Sequence, residues 1–332
     1  MFARDMNLQA KPDRSARSWH VWAALWVVYI VWGSTYLAIR IAVETAPPLL
    51  SAGARFLIAG VGAYLLIGAL KGWRALRVSG REILASSIVG GALLLGGNGL
   101  VMVAEQSVGS GLASLTIASV PLWVILLRKL ARETIPTTTL VGVLVGFVGV
   151  ALLLMPRGGS ASSATGLLLL VAAAASWATG SFFAKRLALP KDIFLSTAVQ
   201  MICGGALLTL TGLATGEAVG FSISQVSTAS WLALLYLVVA GSWLAFTAYV
   251  WLLQHAPISK VATYAYVNPV IAIVLGWLVL SESFTPLILA GAALVVSSVV
   301  FIVRQETDEP ERAHRAQPEF SVGEAALASE RA

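Results

Sequence analysis

The sequence predicts an all-α polytopic membrane protein, with ten transmembrane helices arranged as a 5+5 inverted-topology repeat. Three observations predict this fold: the apolar composition, the spacing of the charged residues and an internal repeat. The chain of 332 residues is 58% hydrophobic and 11% charged, whereas a soluble domain is roughly one quarter charged because its surface faces water. A bilayer removes this conflict, since the outside of the helix bundle then faces hydrocarbon.

The charged residues divide the chain into long apolar segments. About 20 apolar residues are needed for a helix to cross the hydrocarbon core, and ten segments reach or approach that length. Helices are expected because a single segment in lipid must satisfy its own backbone hydrogen bonds. The predicted spans are 20–40, 48–70, 82–104, 107–129, 137–156, 165–185, 193–215, 229–253, 257–280 and 286–303.

The domain organisation follows from these spans. The basic start of the chain continues into an apolar stretch of full span length with no Ala-x-Ala cleavage site, so an uncleaved first helix is expected. The two polar ends have few large apolar groups and are predicted to be flexible. The predicted units are a cytoplasmic basic tail (1–18), a first repeat of five helices (19–156), a periplasmic linker (157–164), a second repeat of five helices (165–303) and a cytoplasmic tail (304–332).

The basic residues predict the orientation. With the amino terminus in the cytoplasm, 19 of the 22 Lys and Arg residues fall in cytoplasmic segments, and the exceptions are Arg40, Arg55 and Arg157. Such a bias predicts a multi-pass protein of the cell inner (plasma) membrane with both termini on the cytoplasmic side. It also accounts for the net charge of +6 through contact with anionic lipid headgroups, so no nucleic acid partner is expected.

Two segments resemble each other about 148 residues apart. Residues 111–121 and 259–269 both begin with small residues and end at a proline, and each continues to a glutamate, Glu133 or Glu282. A weaker similarity relates the sequence at Trp32 to that at Trp177. Because each half holds an odd number of helices, the halves must insert in opposite directions. Inverted repeats with a site between them are a recurrent transporter design, although duplication without transport remains an alternative.

The sequence also resembles the drug/metabolite transporter superfamily, and within it the EamA-like exporters. The resemblance rests on Trp-Gly-Ser-Thr-Tyr-Leu-Ala-Ile-Arg at 32–40, Ala-Arg-Phe at 54–56 and the two Pro…Glu spans, and it covers about residues 20–303. It implies export of amino acids, metabolites or drugs. It also implies a cavity lined mainly by the first, third, fourth, sixth, eighth and ninth helices.

Polar and aromatic residues inside the spans are the candidates for solute binding. Polar groups at hydrocarbon depth are costly unless they line water or find partners, and aromatic rings suit a partly apolar or cationic solute. The alternatives are hydrogen bonds between helices and, for the aromatics, anchoring at the membrane surface. The candidates are Trp32, Ser34, Tyr36, Asn98, Thr116, Ser119, Trp177, Trp243, Tyr264 and Asn268, with helix kinks expected at Pro121 and Pro269.

Arg55 and Glu105 are the charged residues predicted at the outer mouth. Arg55 is expected to extend outward to Glu44 or Glu105, and the alternative is capture of an anion. No Asp or Glu lies in the middle of a predicted span. Because proton-driven carriers usually place a carboxylate there, the sequence favours exchange, facilitated movement or coupling through Glu105.

The function predicted is a secondary transporter that works by alternating access between the two repeats, and the resemblance alone implies export. The alternatives are a channel, a non-transporting receptor and an intramembrane lipid-modifying enzyme. An enzyme is disfavoured because the three histidines, His20, His255 and His314, do not share a span interior, and no catalytic or nucleotide-binding motif is present. The expected partners are a small-molecule solute and the lipid bilayer, with a homodimer left open. No metal and no cofactor are expected.

Overall fold

The computed structural model describes residues 14–155, 163–184, 186–256, 261 and 263–316. Within these residues the fold is helical and contains no β-strand. The ten helices are α1 Arg14–Ala42, α2 Pro48–Lys71, α3 Gly80–Ala104, α4 Ser110–Leu130, α5 Thr137–Leu154, α6 Ala164–Ala184, α7 Ile193–Ala214, α8 Thr228–Tyr249 with a continuation to His255, α9 Tyr264–Leu280 and α10 Pro286–Ala316.

The lengths and compositions of these helices confirm the predicted fold class. Among the described residues, nine helices are long and apolar enough to cross a membrane, and α9 is a shorter apolar helix. Part of the predicted ninth span, residues 257–260 and 262, lies outside the described residues. The chain is therefore a polytopic membrane protein with ten helices.

Two of the differences between predicted and observed helix boundaries have a clear physical reason. α4 begins at Ser110 rather than 107, because the chain turns through extended backbone at Gly109 before the helix starts. α10 continues to Ala316, so the prediction of a flexible tail from residue 304 is wrong for its first part. Charged residues end an apolar span but do not end a helix, and Arg, Gln, Glu and Ala in this segment are good helix formers.

The contacts between helices have a two-fold pattern. α2 with α7, α4 with α9 and α5 with α10 each join a helix to its counterpart in the other half. The contact of α1 with α8 corresponds to that of α6 with α3, and the contact of α1 with α9 corresponds to that of α6 with α4. This is the pattern expected when two five-helix halves of similar sequence associate in opposite orientations.

Small residues allow the paired helices to approach closely. A Cβ on Gly60 of α2 would lie 2.9 Å from the backbone nitrogen of Ile202 in α7. On α5, a Cβ on Gly146 would lie 2.6 Å from the Ser298 hydroxyl of α10. No hydrophobic driving force brings helices together in lipid, so close van der Waals packing of this kind stabilises their association instead. These glycines therefore hold the pairs that connect the two halves.

Two helices contain π-helical turns at corresponding places in the halves. The turns cover Gly91–Gly99 in α3 and Leu237–Leu244 in α8. A π-helical turn widens the helix locally and often marks a functional site. α4 is interrupted at Ala118 and Ser119, just before Pro121, whereas Pro269 lies inside the continuous helix α9.

The turns between helices lie alternately at two ends of the bundle, because successive helices run in opposite directions. We name them after equivalent glutamates in the two halves. The Glu282 end contains the turns at 43–47, 105–109 and 281–285, and the Glu133 end contains those at 131–136 and 186–192.

Candidate functional site

Three aromatic rings from three helices form a cluster, which we call the aromatic centre. Trp32 of α1 lies 5.1 Å from Tyr249 on the continuation of α8 and 5.2 Å from Tyr264 of α9, measured between ring centroids. The two tyrosine rings lie 5.8 Å apart in an edge-to-face arrangement. These distances are within the range of favourable aromatic contacts. The aromatic centre therefore joins one helix of the first half to two helices of the second.

Asn268 positions α9 against α1. With its amide oriented to match the neighbouring carbonyls, its nitrogen donates to the backbone oxygens of Tyr29 at 3.3 Å and Tyr264 at 3.2 Å. A second contact joins the Tyr29 hydroxyl to the Thr263 hydroxyl. Asn268 is buried, and a buried amide needs such partners. Its role in this conformation is to hold the two helices that carry Trp32 and Tyr264.

Trp32 and Trp177 make related contacts in the two halves. The Trp32 indole nitrogen donates to the carbonyl of Gly241 at 3.3 Å, within the π-helical turns of α8. The Trp177 ring lies against Gly97, within the π-helical turns of α3, where an added Cβ would come within 2.7 Å of the ring. Each tryptophan thus crosses from one half to a widened helical segment of the other.

Arg55 reaches the same region from α2. Its side chain is 7% exposed, its Nε donates to the Ser242 hydroxyl at 3.2 Å, and its Nη1 has no partner in the part of the chain described. A Cβ on Gly241 would lie 3.3 Å from its Nη2. The expected extension to Glu105 is wrong, because within the described residues both Glu105 carboxyl oxygens lack a hydrogen-bond partner, and the Arg55 hydrogen bond runs to Ser242 rather than to Glu44. Contact with α8 holds the guanidinium inside the bundle.

The remaining candidates are distributed over several helices. Thr116 and Ser119 are buried in α4, and their hydroxyls donate to carbonyls of their own helix, at Leu112 and Thr116. Asn98 is half-buried in the π-helical turns of α3. Tyr36 packs at the edge of the main hydrophobic core.

Trp243 contacts α2 rather than the aromatic centre. Its indole nitrogen donates to the carbonyl of Ala59 at 3.0 Å, and its ring packs on Gly62. The side chain is 42% exposed. The structure therefore does not bring Trp243 together with Trp32, although both belong to the predicted set.

Sequence reasoning missed Tyr236, whose hydroxyl lies 2.6 Å from the Ser34 hydroxyl. Tyr249 also contacts Trp32, as the predicted residue Tyr264 does. Neither Tyr236 nor Tyr249 belongs to one of the short motifs that support the repeat. Their position relative to Trp32 depends on the π-helical turns of α8, which periodicity in the sequence does not reveal.

The Glu282 end is held by a carboxylate bound to a helix amino terminus. Glu282 accepts hydrogen bonds from the Ser110 backbone nitrogen at 2.6 Å, the Ser110 hydroxyl at 2.8 Å and the Gly111 backbone nitrogen at 3.0 Å. Backbone donors and the helix dipole both favour an anion at this position. Nearby, Arg40 donates to the backbone carbonyl of Glu105. The hydrogen bonds of Glu282 connect the α9–α10 turn of one half to α4 of the other.

The chemistry available in this arrangement is binding through aromatic faces, hydroxyl groups and a guanidinium group. Among the described residues, no group of three or more His, Cys, Asp or Glu side chains is placed to hold a metal ion. Aromatic faces and hydroxyls suit a solute with an apolar part and a few polar groups. The charged group beside these residues is the Arg55 guanidinium.

Ten membrane helices in two inverted halves, with tryptophans that cross between them, define the class of polytopic membrane proteins built from inverted repeats. The EamA-like transporter family model matches the chain twice, at residues 18–155 and 164–304. The chain belongs to the EamA-like transporter family, and it is a membrane transporter.

Several relatives share this family. The chain is 34% identical over 285 residues to a protein of Escherichia coli (strain K12) named uncharacterized inner membrane transporter YedA, covering 85% of this chain and 90% of that protein. It is 29% identical to the uncharacterized transporter YvbV of Bacillus subtilis (strain 168), covering 82% and 88%. A solved structure, described as the crystal structure of a protein, aligns with a TM-score of 0.58 at 21% identity, covering 90% of this chain and all of that chain. This last similarity shows the fold alone.

Proposed function

We propose that the protein is a secondary transporter that exports a small metabolite, amino acid or drug-like solute across the inner membrane. It works by alternating access, in which the repeats 19–156 and 165–303 rock against each other. The relative named as an inner membrane transporter supports this location. The sequence has no nucleotide-binding motif, which disfavours a pump powered by ATP within this chain.

The observation that carries this proposal is the related placement of Trp32 and Trp177. Each contacts a glycine within the π-helical turns of the opposite half. When the halves rotate relative to each other, both contacts change together, and a solute between them then meets one end of the bundle or the other. Binding near these rings would therefore be linked to the direction of access.

The orientation proposed follows the distribution of Lys and Arg. Both termini and the Glu133 end lie in the cytoplasm, and the Glu282 end lies in the periplasm. Reporter fusions to the carboxyl terminus and to the turn near Glu282 test this assignment in intact cells. Periplasmic activity of the carboxyl-terminal fusion would contradict it.

Transport is tested with purified protein in liposomes. A thermal-shift screen of amino acids, metabolites and cationic dyes selects ligands, which are then measured by counterflow. We expect saturable counterflow, with half-saturation weakened about tenfold by Trp32→Ala or Trp177→Ala, because losing an aromatic contact costs about 1 kcal/mol beyond the area exposed. Efflux from loaded cells tests the direction.

Trp277→Ala is the matched control, since this tryptophan of α9 is 62% exposed. It is expected to leave counterflow unchanged. Ion conductance without saturable counterflow would replace the transporter by a channel. Ligand-induced stabilisation without any flux would replace it by a receptor.

A further inference from the structure

Glu105 is a buried acid that the contacts described so far do not explain. It follows α3 directly, in the turn that leads to α4, and its side chain is 0% exposed. Neither of its carboxyl oxygens has a hydrogen-bond partner within the described residues. An ionised carboxylate without donors in such a place is strongly disfavoured, and the neutral acid is the form that burial permits.

The charged groups around Glu105 come from two other elements. Arg40, at the end of α1, gives its hydrogen bond to the backbone carbonyl of Glu105 rather than to the carboxyl group. Glu282, from the α9–α10 turn, takes the donors at the start of α4. Tyr36 of α1 is a third titratable group that interacts electrostatically with Glu105. The two acids are therefore neighbours, and only one of them has donors.

The electrostatic balance at this end agrees with the geometry. Burial raises the pKa of Glu105 well above its usual value, the nearby Glu282 raises that pKa further, and Arg40 opposes both effects. Both the burial and the neighbouring Glu282 therefore favour the protonated form of Glu105.

Opening of the Glu282 end would change this environment. The contact of Glu282 with Ser110 and Gly111 joins the two halves only a few residues from Glu105. If α4 separates from the α9–α10 turn, water reaches the start of α4 and the turn that holds Glu105. A solvated carboxyl group in the absence of Glu282 ionises at ordinary pH.

We propose that Glu105 is a proton-binding site, neutral while the Glu282 end is closed and ionised when that end opens. The inference rests on the alternating access proposed above. On opening, the O–H bond of the carboxylic acid breaks, the proton passes to water at the Glu282 end, and the carboxylate remains. When that end closes, the carboxylate takes a proton back from water at the same end, so the site links opening of the Glu282 end to the pH there. Because the closed state binds the proton more tightly, raising the pH favours opening.

Infrared difference spectroscopy tests the protonation of Glu105 without any transported ligand. The full chain in lipid vesicles is expected to show the carbonyl stretch of a protonated carboxylic acid at neutral pH. Glu105→Gln, which preserves the shape of the side chain, is expected to remove that band, and Glu44→Gln, which changes an exposed acid at the same end, is expected to retain it. Absence of the band in the unaltered protein, or its persistence in Glu105→Gln, overturns the proposal. If Glu105→Gln does not fold, Glu105→Asp keeps an acid on a shorter side chain and is expected to shift the band, and an unshifted band then overturns the proposal.

Distance measurements between spin labels test the link to opening. Labels on cysteines at the exposed positions Gln106 and Thr285, with Cys203→Ser as background, report the separation of α4 from α10 at the Glu282 end. We expect the ratio of closed to open protein to fall about tenfold per pH unit over the range in which one proton is released. Glu105→Gln should show no such change. Equal pH dependence in both proteins overturns the proposal.

The outcomes for this site and for transport are distinguishable. Intact counterflow without the carboxylic acid band rejects the proton site and leaves the transporter. If the unaltered protein shows no counterflow, but does show the carboxylic acid band and a pH-dependent distance between the spin labels, the transporter is rejected and the proton site is retained.

Discussion

Glu282 and Glu133 follow equivalent helices in the two halves, yet the structure gives them different partners. Glu282 binds backbone and hydroxyl donors at the start of α4. Glu133 accepts from Arg128 at 2.7 Å and from Arg186 at 2.5 Å, and its side chain is about one third exposed. Backbone donors are fixed by the helix, whereas guanidinium groups reach Glu133 on long flexible side chains.

This difference teaches that equivalent glutamates of a repeated sequence use different donors among the described residues. At the Glu282 end, a carboxylate connects the two halves through donors that cannot move without the helix. By the repeat, the counterparts of Ser110 and Gly111 are Ile258 and Ser259, which lie outside the described residues. Two halves of an inverted repeat alternate only if their equivalent contacts are made at different times. The Glu282 contact is made in this conformation.

The largest effect is expected from Glu282→Ala. It removes three hydrogen bonds to a charged group, each worth about 1.5–3 kcal/mol and not additive, so we expect a loss of about 3 kcal/mol. The melting temperature of the purified protein should fall, and labels at Gln106 and Thr285 should move apart. Glu44→Ala, at an exposed acid of the same end, is the control. An unchanged label separation would show that Glu282 does not hold the halves together.

A smaller effect is expected from Glu133→Gln, because exposed ion pairs contribute little and are screened by salt. The decrease in melting temperature should shrink when the salt concentration is raised. The decrease caused by Glu282→Ala should persist under the same conditions, because dissolved ions have little effect on hydrogen bonds from neutral backbone groups to a partly buried carboxylate. Equal salt dependence of the two variants would remove the distinction between the two ends.

The smallest effect is expected in the pH dependence of Arg186→Gln. The hydrogen bond from Arg128, together with the charges of Arg128 and Arg186, lowers the pKa of Glu133 below its usual 4.5. A lowered pKa stabilises the folded protein fully above the unfolded pKa, and that stabilisation is lost as the pH falls through the folded pKa. The melting temperatures of Arg186→Gln and the unaltered protein should therefore differ above pH 4.5 and converge below it. A difference that grows on acidification would contradict this assignment.

The sequence predicted the membrane helices well because lipid imposes a length and a composition on each of them. It was less successful where backbone geometry decides. The start of α4 at Ser110 depends on the turn at Gly109, and the continuation of α10 to Ala316 depends on helix propensity beyond the apolar span. The fate of Arg55 was also mispredicted, because charge alone suggested a path outward. Packing against Ser242 keeps it inside.

By itself, the sequence determined that this protein lies in a bilayer, that it has ten helices and that its halves are related. These properties follow from local hydrophobicity and from the similarity of two segments. Only the tertiary structure decided which candidates meet. Trp32 joins Tyr249 and Tyr264, while Trp243 packs on α2, and Glu105 is buried with no donor to its carboxyl group in the described part of the chain. The physical reason is that such contacts depend on how each helix is rotated about its axis and on where it contains π-helical turns. In lipid an apolar sequence does not fix this rotation, which is set by packing against neighbouring helices.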